Sequence, residues 1–191
     1  EGMTSKILIT GGAGYIGSHV VKALSKKNLD LVVYDNLSTG HKAAVTSGEL
    51  VVGDLSDTVK IEELFKAHKF SAVLHFAGSI VVPESVANPL KYYQNNTANS
   101  HSLISLCVKY GVDKFIFSST AAVYGNPESG ICVEESPLVP MNPYGHSKLM
   151  TEQMLKDVST SSSLRFVALR YFNVSGADGE GKIGHSFPQA T

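Results

Sequence analysis

The sequence predicts an α/β protein built on a doubly wound parallel sheet. Six short runs rich in Val, Ile, Leu and Phe show little polar alternation, which is typical of strands buried on both faces of a parallel sheet. Longer segments with helical spacing separate these runs, and alternation of strands with helices favours this fold class. In such folds ligands bind at the carboxyl ends of the strands.

Apolar runs set the bounds of the predicted strands, and helical spacing sets those of the predicted helices. The predicted strands cover residues 6–10, 31–34, 50–52, 72–76, 114–117 and 165–169. Each run stops at a small or polar residue, in order Gly11, Asp35, Gly53, Ala77, Ser118 and Arg170. The predicted helices cover residues 15–27, 57–67, 89–110 and 143–158.

Composition excludes several classes of protein. The 191 residues are 43% hydrophobic and carry a net charge of −1 without a basic stripe, so we expect neither a nucleic-acid partner nor an anionic membrane surface. No apolar run approaches the ~20 residues of a membrane span. Cys107 and Cys132 fit neither metal spacing nor a disulfide framework, and the histidines form no ligand cluster. We therefore expect a cytoplasmic protein without a metal site.

A glycine-rich heptad, Gly11-Gly12-Ala13-Gly14-Tyr15-Ile16-Gly17, joins the first strand to the first helix. Glycines there permit a tight turn and close approach of a pyrophosphate, which the helix N-terminus then binds. A structural turn is the alternative for the glycines alone. The strand, the helix and a carboxylate further on favour the dinucleotide-binding Rossmann domain.

That carboxylate is Asp35, which ends the second strand and follows Gly17 by 18 residues. A carboxylate at this position accepts hydrogen bonds from ribose hydroxyls and repels a 2′-phosphate. No Arg follows within residues 36–40. The pattern favours NAD over NADP, the alternative being a solvated loop acid.

Tyr144 and Lys148 are the candidate acid–base pair. They lie at i and i+4 of a predicted helix that begins at Pro143 and therefore share one face. An ammonium beside a phenol is expected to lower the phenol pKa from about 10. The pair could then remove a proton from a sugar or alcohol hydroxyl while hydride leaves for nicotinamide. An exposed helix face is the alternative interpretation.

Three further polar groups receive separate interpretations. A hydroxyl of Ser118-Ser119-Thr120, at the end of the fifth strand, could bind the reacting oxygen, or could simply cap the strand. His75 lies inside an apolar strand and is expected to be a core histidine with its hydrogen bonds satisfied. Cys107 is expected in the core.

These motifs together resemble the extended short-chain dehydrogenase/reductases. The resemblance rests on the glycine heptad, His-Phe-Ala-Gly at 75–78, Phe-Ser-Ser-Thr at 117–120 and the Tyr-x-x-x-Lys pair. Pro83-Glu84-Ser85 through Tyr92-Tyr93-Gln94-Asn95-Asn96, with Leu-Arg-Tyr-Phe-Asn at 169–173, narrows it to UDP-glucose 4-epimerases. It covers residues 6 to 191 almost completely.

The resemblance assigns roles by position. It implies that Thr120, Tyr144 and Lys148 are catalytic, and that Thr120, Tyr144 and Asn173 contact the nucleotide-sugar. Ile80 stands where some members have a cofactor-binding lysine. The implied NAD-binding residues are Gly11, Gly14, Tyr15, Ile16, Gly17, Asp35, Asn36, Leu37, Ser38, Thr39, Gly40, Asp54, Leu55, Phe76, Ala77, Gly78, Asn95, Ser118, Tyr144, Lys148 and Phe172.

The resemblance also implies an activity: interconversion of UDP-glucose and UDP-galactose through a transient 4-keto sugar, by a homodimer that pairs helices 89–110 and 143–158. Ala121-Ala122 stands where 4,6-dehydratases carry an Asp-Glu pair, which argues against that class. An epimerase for N-acetylated UDP-sugars remains an alternative. So does an NAD-binding module without catalysis.

The domain organisation follows from two loops and the chain length. Residues 125–143 contain four prolines and form a long loop beside the expected active site. Residues 175–184 are rich in glycine, and the chain stops soon afterwards at Thr191. We expect an NAD-binding Rossmann domain at 3–174 and the start of a truncated substrate-binding region at 175–191. The C-terminal substrate domain is then largely absent.

Overall fold

The computed structural model describes residues 5–12, 14–38, 42, 48–78, 82–125, 135–171 and 186–188. Its strands are β1 (Ser5–Thr10), β2 (Leu31–Asp35), β3 (Glu49–Val52), β4 (Lys69–His75), β5 (Lys114–Thr120), β6 (Arg165–Tyr171) and β7 (Ser186–Pro188). Its α-helices are α1 (Tyr15–Ser25), α2 (Thr58–Ala67), α3 (Val82–Ala87), α4 (Pro89–Tyr92), α5 (Asn99–Lys109) and α6 (Pro143–Ser161). A π-helical segment (Tyr93–Ala98) and a 3₁₀ turn (Ala121–Tyr124) complete the elements.

The strand order confirms the doubly wound fold. The sheet runs β3-β2-β1-β4-β5-β6-β7, and its first six strands form the parallel order of a Rossmann fold. The pairs β1–β2, β1–β4 and β2–β3 are parallel, with Ile9 beside Val33 on one side and Leu74 on the other. The short β7 pairs antiparallel with β6 and was not predicted from the sequence.

The chain forms two compact units. The first contains Glu1–Ala77, Ser102–Ile116 and Ser163–Arg165, and the second contains Gly78–His101, Phe117–Ser162 and Phe166–Thr191. In the first unit, all five residues of β2 are buried, as expected for a strand covered on both faces. Ile9, Val21 and Leu74 are among the side chains of its hydrophobic core.

The second unit is organised around α6. Asn142 caps this helix by accepting a hydrogen bond from Gly145 N at 2.8 Å, and Pro143 occupies its first turn. Its buried residues include many polar ones: Tyr144, Ser147, Lys148, Thr151, Glu152 and Ser159. A helix that buries this many polar groups needs partners for them, and those partners define the candidate site.

Two of the differences from the predicted elements bear on the candidate site. The predicted helix 89–110 is interrupted by the π-helical segment, where Asn99 N donates to Gln94 O, five residues back. The carbonyl of Asn96 accepts hydrogen bonds at 2.8 Å from both Ser100 Oγ and Thr151 Oγ1, which compete for it with the helical N–H groups. Ser118, Ser119 and Thr120 belong to β5 rather than to the loop after it.

Two buried side chains match their predictions as core residues. His75 is buried, and its Nδ1 lies 2.6 Å from Thr10 Oγ1. Cys107 is buried in α5, where burial raises the pKa of its thiol.

No helix in the described part of the chain is long and apolar enough to cross a membrane.

Candidate cofactor loop and catalytic group

The glycine loop of the first unit leaves no room for a side chain at Gly11 or Gly17. Gly11 has φ +70°, and a Cβ there would lie 2.6 Å from Ala77 N. A Cβ on Gly17 would lie 2.1 Å from the Gly11 carbonyl oxygen. Gly14 caps α1 without a side-chain hydrogen bond, so the first-turn N–H groups receive no acceptor from the cap. This cradle fits a pyrophosphate group, whose oxygens would accept those hydrogen bonds.

Asp35 ends β2 beside the glycine loop. Gly11 N donates to Tyr34 O at 3.0 Å, which joins the loop to the strand that carries Asp35. One carboxylate oxygen of Asp35 accepts from Leu37 N at 2.7 Å, and Leu37 has φ +61°. The carboxylate is therefore fixed by its own turn, as a ribose-binding group requires.

Asp54 is fixed to the same end of the first unit by two neighbours. Its carboxylate accepts hydrogen bonds from Ser56 N at 2.9 Å and from Asn36 Nδ2 at 3.1 Å. The hydrogen bonds from Ser56, then that from Asn36, lower the pKa of Asp54, so the group is ionised at neutral pH. The Tyr34 hydroxyl donates to Asp54 O at 2.7 Å, and burial raises the pKa of Tyr34 to about 12. A second fixed negative charge therefore lies near Asp35.

Tyr144 and Lys148 share one buried face of α6, as the spacing predicted. Lys148 Nζ donates to Ser118 O at 2.9 Å and lies 5.0 Å from the centre of the Phe117 ring. Tyr144 is hydrogen-bonded to the side chain of Thr120. The tyrosine, the lysine and the end of β5 thus form one connected group in the second unit.

The acidity of this group differs from the sequence-based expectation. Burial raises the pKa of Tyr144, and the hydrogen bond with Thr120 only partly opposes the rise. The expectation that the pKa of Tyr144 falls below its ordinary value is wrong for this arrangement, because burial has the larger effect. Burial also lowers the pKa of Lys148 to about 8, against the opposing charge of Glu152. Lys148 is therefore mostly protonated at neutral pH.

Gly78 lies against this group from the π-helical side. It has φ +143°, and a Cβ there would lie 2.6 Å from Asn96 Oδ1 and 3.4 Å from Lys148 Nζ. Asn96 is buried and donates to Ser147 Oγ at 3.2 Å. The backbone conformation therefore favours glycine at 78, and a Cβ there would also displace the Asn96 amide.

Several polar residues that are buried around Tyr144 and Lys148 were not predicted from the sequence as part of the site. These are Asn96, Tyr124, Ser147, Thr151, Glu152 and Arg170. Helical spacing from Tyr144 could have identified Ser147, Thr151 and Glu152, because all three lie on the face that it shares with Lys148. No sequence signal distinguishes Asn96 from Asn95, which is only half-buried.

Some predicted positions lie outside the described residues. Thr39, Gly40, Phe172 and Asn173 are among them, as are the glycine-rich segment 175–184 and residues 126–134 of the proline-rich loop. Their assigned roles stay predictions.

Among the described residues, no group of three or more His, Cys, Asp or Glu could hold a metal ion.

A glycine loop between a strand and a helix, a carboxylate at the end of the next strand and a buried Tyr-Lys pair beside a Thr hydroxyl are the features of the short-chain dehydrogenase/reductase class. The family model "NAD dependent epimerase/dehydratase family" matches residues 7–191, and the chain belongs to that family.

Three relatives illustrate the similarity. The chain is 54% identical over 187 residues to a UDP-glucose 4-epimerase of Azospirillum brasilense, covering 97% of this chain and 54% of the relative. The UDP-glucose 4-epimerase of Brucella ovis, crystallised with NAD, is 46% identical at a TM-score of 0.86, covering 92% of this chain and 54% of that one. The UDP-Glc/GlcNAc 4-epimerase of Campylobacter jejuni is 51% identical at 0.87, covering 91% and 55%. The chain spans about half the length of the curated relatives it matches.

Proposed function

We propose that this chain is part of an NAD-dependent UDP-glucose 4-epimerase. The observation that carries the proposal is the buried Tyr144–Thr120 hydrogen bond with Lys148 on the Ser118 carbonyl. Relatives of about 50% identity with this activity in their names support the choice of reaction. The Brucella ovis enzyme, which binds NAD, supports the choice of cofactor.

The residues of the first unit are proposed to bind the cofactor. The first turn of α1 would bind the pyrophosphate, Asp35 the adenosine ribose hydroxyls, and the segment of Asp54 and Leu55 the adenine side. When bound, NAD would accept a hydride from the sugar C4 and return it to the opposite face of the resulting 4-keto sugar. The fixed Asp35 carboxylate would exclude a 2′-phosphate by charge repulsion.

The residues of the second unit are proposed to move the proton. Tyr144 would take the proton from the sugar 4-hydroxyl and return it after the keto sugar has turned over. Thr120 would orient the sugar oxygen through its hydroxyl. Lys148, protonated below its pKa of about 8, would act as a hydrogen-bond donor, one of its bonds going to the Ser118 carbonyl.

A second substrate class is favoured by one relative. The Campylobacter jejuni enzyme is described as a UDP-Glc/GlcNAc 4-epimerase and is 51% identical to this chain. UDP-N-acetylglucosamine is therefore the alternative substrate.

We also propose that the intact protein is a homodimer.

The decisive experiment is a 4-epimerase assay on the intact protein. UDP-galactose, UDP-glucose and UDP-N-acetylglucosamine would be supplied separately, and the epimeric products separated by anion-exchange chromatography. Conversion of UDP-galactose is expected, together with NAD released on denaturation. Bound NAD without conversion of any of the three sugars would instead support a cofactor-binding module.

A further inference from the structure

Glu152 and Arg170 form a buried ion pair in the second unit. Arg170 Nη2 donates to Glu152 Oε1 at 2.7 Å, and Arg170 Nε donates to both carboxylate oxygens, at 3.1 Å to Oε1 and 3.3 Å to Oε2. Both side chains are only 7% exposed. A buried charge is costly unless it is paired and hydrogen-bonded, and this two-point geometry meets that condition. The pair is therefore a fixed feature of this unit.

Both partners of the pair also bind the end of β5 or the turn after it. Ser119 Oγ donates to Glu152 Oε2 at 2.7 Å, and Arg170 Nη1 donates to Tyr124 OH at 2.7 Å. Ser119 lies between Ser118, which accepts from Lys148, and Thr120, which is bonded to Tyr144. The pair thus contacts the residue between the two anchor points of the catalytic group.

Glu152 also follows Lys148 by one helical turn on the buried face of α6. Besides Lys148, the charged and titratable groups of this unit on α6 and the elements around it are Glu84, Lys91, Tyr92, Tyr93, Tyr124, Tyr144, His146, Glu152, Lys156, Asp157, Arg170 and Tyr171. Of these, Glu152 is the one whose charge opposes the effect of burial on the pKa of Lys148. Its carboxylate favours the ammonium form.

We infer that Glu152 and Arg170 are positioning residues of the catalytic group: the pair ties the end of β5 to α6 and holds the Glu152 carboxylate one helical turn from the Lys148 ammonium. The catalytic consequence rests on the proposed function. The effect on Lys148 does not, so it can be tested separately.

The test separates the charge of Glu152 from its hydrogen bond to Ser119. Glu152→Gln removes the negative charge and leaves the Arg170 guanidinium buried beside a neutral amide. Both changes disfavour the ammonium, so Lys148 should lose its proton at a lower pH. Ser119→Ala removes the hydrogen bond and keeps the charge, so it is the matched control.

A double variant guards against failure to fold. In Glu152→Gln/Arg170→Gln no charge is left uncompensated, which should restore folding if the single variant is unstable. Because the positive charge is lost as well, the titration of Lys148 should move in the same direction but less far.

The measurement is an NMR titration of the intact protein labelled with ¹³C at the lysine ε-carbons, the Lys148 signal being assigned with Lys148→Met. We expect the midpoint to fall by about 1 pH unit or more in Glu152→Gln, and to stay near the wild-type value in Ser119→Ala. The alkaline loss of epimerase kcat should move to lower pH with it. An unchanged midpoint in both folded Glu152 variants would overturn the inference, as would lower activity with an unshifted pH profile. If the intact wild-type protein shows no epimerase activity, the proposed function fails, while the titration still decides the role of Glu152.

Discussion

At the scale of single residues, Tyr144 is the group on which the chemistry depends. Its buried hydroxyl is bonded to Thr120, and substitution by Phe keeps the ring while removing the proton-transfer group. We predict that Tyr144→Phe lowers kcat of the intact protein by at least about 100-fold and leaves NAD bound. Turnover and cofactor content are measured on the same preparation. Tyr110→Phe, an exchange at a surface hydrogen bond with Glu62, is the control and should retain wild-type turnover.

Asp35 sets the choice of cofactor at the same scale. Its carboxylate is held by Leu37 N, and the ionised Asp54 adds negative charge nearby. We predict that the chain binds NAD at least about tenfold more tightly than NADP, because a 2′-phosphate would meet these charges. Asp35→Asn should reduce this difference between the affinities for NAD and NADP. Asp30→Asn, at an exposed position, should leave the difference unchanged. Equal binding of the two cofactors by the wild-type chain in fluorescence titrations would contradict the assignment.

At the scale of elements, the β1–α1 turn depends on the absence of a side chain at Gly17. A Cβ there would lie 2.1 Å from a backbone oxygen, so the turn must open to admit it. We predict that Gly17→Ala destabilises the fold by about 1–3 kcal/mol and lowers NAD affinity. Gly14→Ala is the matched variant, because its Cβ would meet the same oxygen at an ordinary 3.4 Å. The free energy of unfolding, measured with denaturant, and the affinity for NAD, measured by titration, should both be higher for Gly14→Ala than for Gly17→Ala.

Elements were predictable from sequence where a local pattern determines them. The β1–α1 turn, the buried β2 and the shared face of Tyr144 and Lys148 each follow from glycines, apolar runs or helical spacing. The π-helical segment does not, because it depends on Thr151 of a distant helix bonding the Asn96 carbonyl. The raised pKa of Tyr144 could not be predicted either, since its cause is burial, which is a tertiary feature.

The buried polar face of α6 shows the same limit. Spacing alone gives Glu152 a place beside Lys148, but sequence does not reveal that Arg170 forms an ion pair with Glu152, because the two residues belong to different elements. A pair of this kind is invisible until the strand and the helix are packed together.

At the scale of the whole molecule, the proposed homodimer gives the exposed apolar side chains of the second unit a role. Leu90 of α4 is 78% exposed and Met150 of α6 is 44% exposed, and both lie in the segments expected to pair. We predict that the intact protein is a dimer by light scattering, and that Leu90→Glu with Met150→Glu shifts it toward monomer. Val59→Glu, at a 72% exposed position of the first unit, is the control and should leave the dimer intact. A wild-type monomer at micromolar concentration would contradict the proposal.

The length of the chain leads to a prediction about the 191-residue chain itself. It spans about half the length of its relatives, although it contains the glycine loop and the Tyr144–Lys148 group. Catalysis requires the sugar C4 to be held against the cofactor, and an error of ~1 Å can cost ~100-fold in rate. Binding energy from the remote UDP portion normally supplies that positioning.

We therefore predict that the 191-residue chain converts UDP-galactose at least about 100-fold more slowly than the protein extended to the length of its relatives. NAD binding should be less affected, because the described loop, Asp35 and Asp54 all lie within the first unit. Both properties are measured for the two lengths under the same conditions. Equal turnover at the two lengths would show that the residues within 1–191 suffice to hold the sugar.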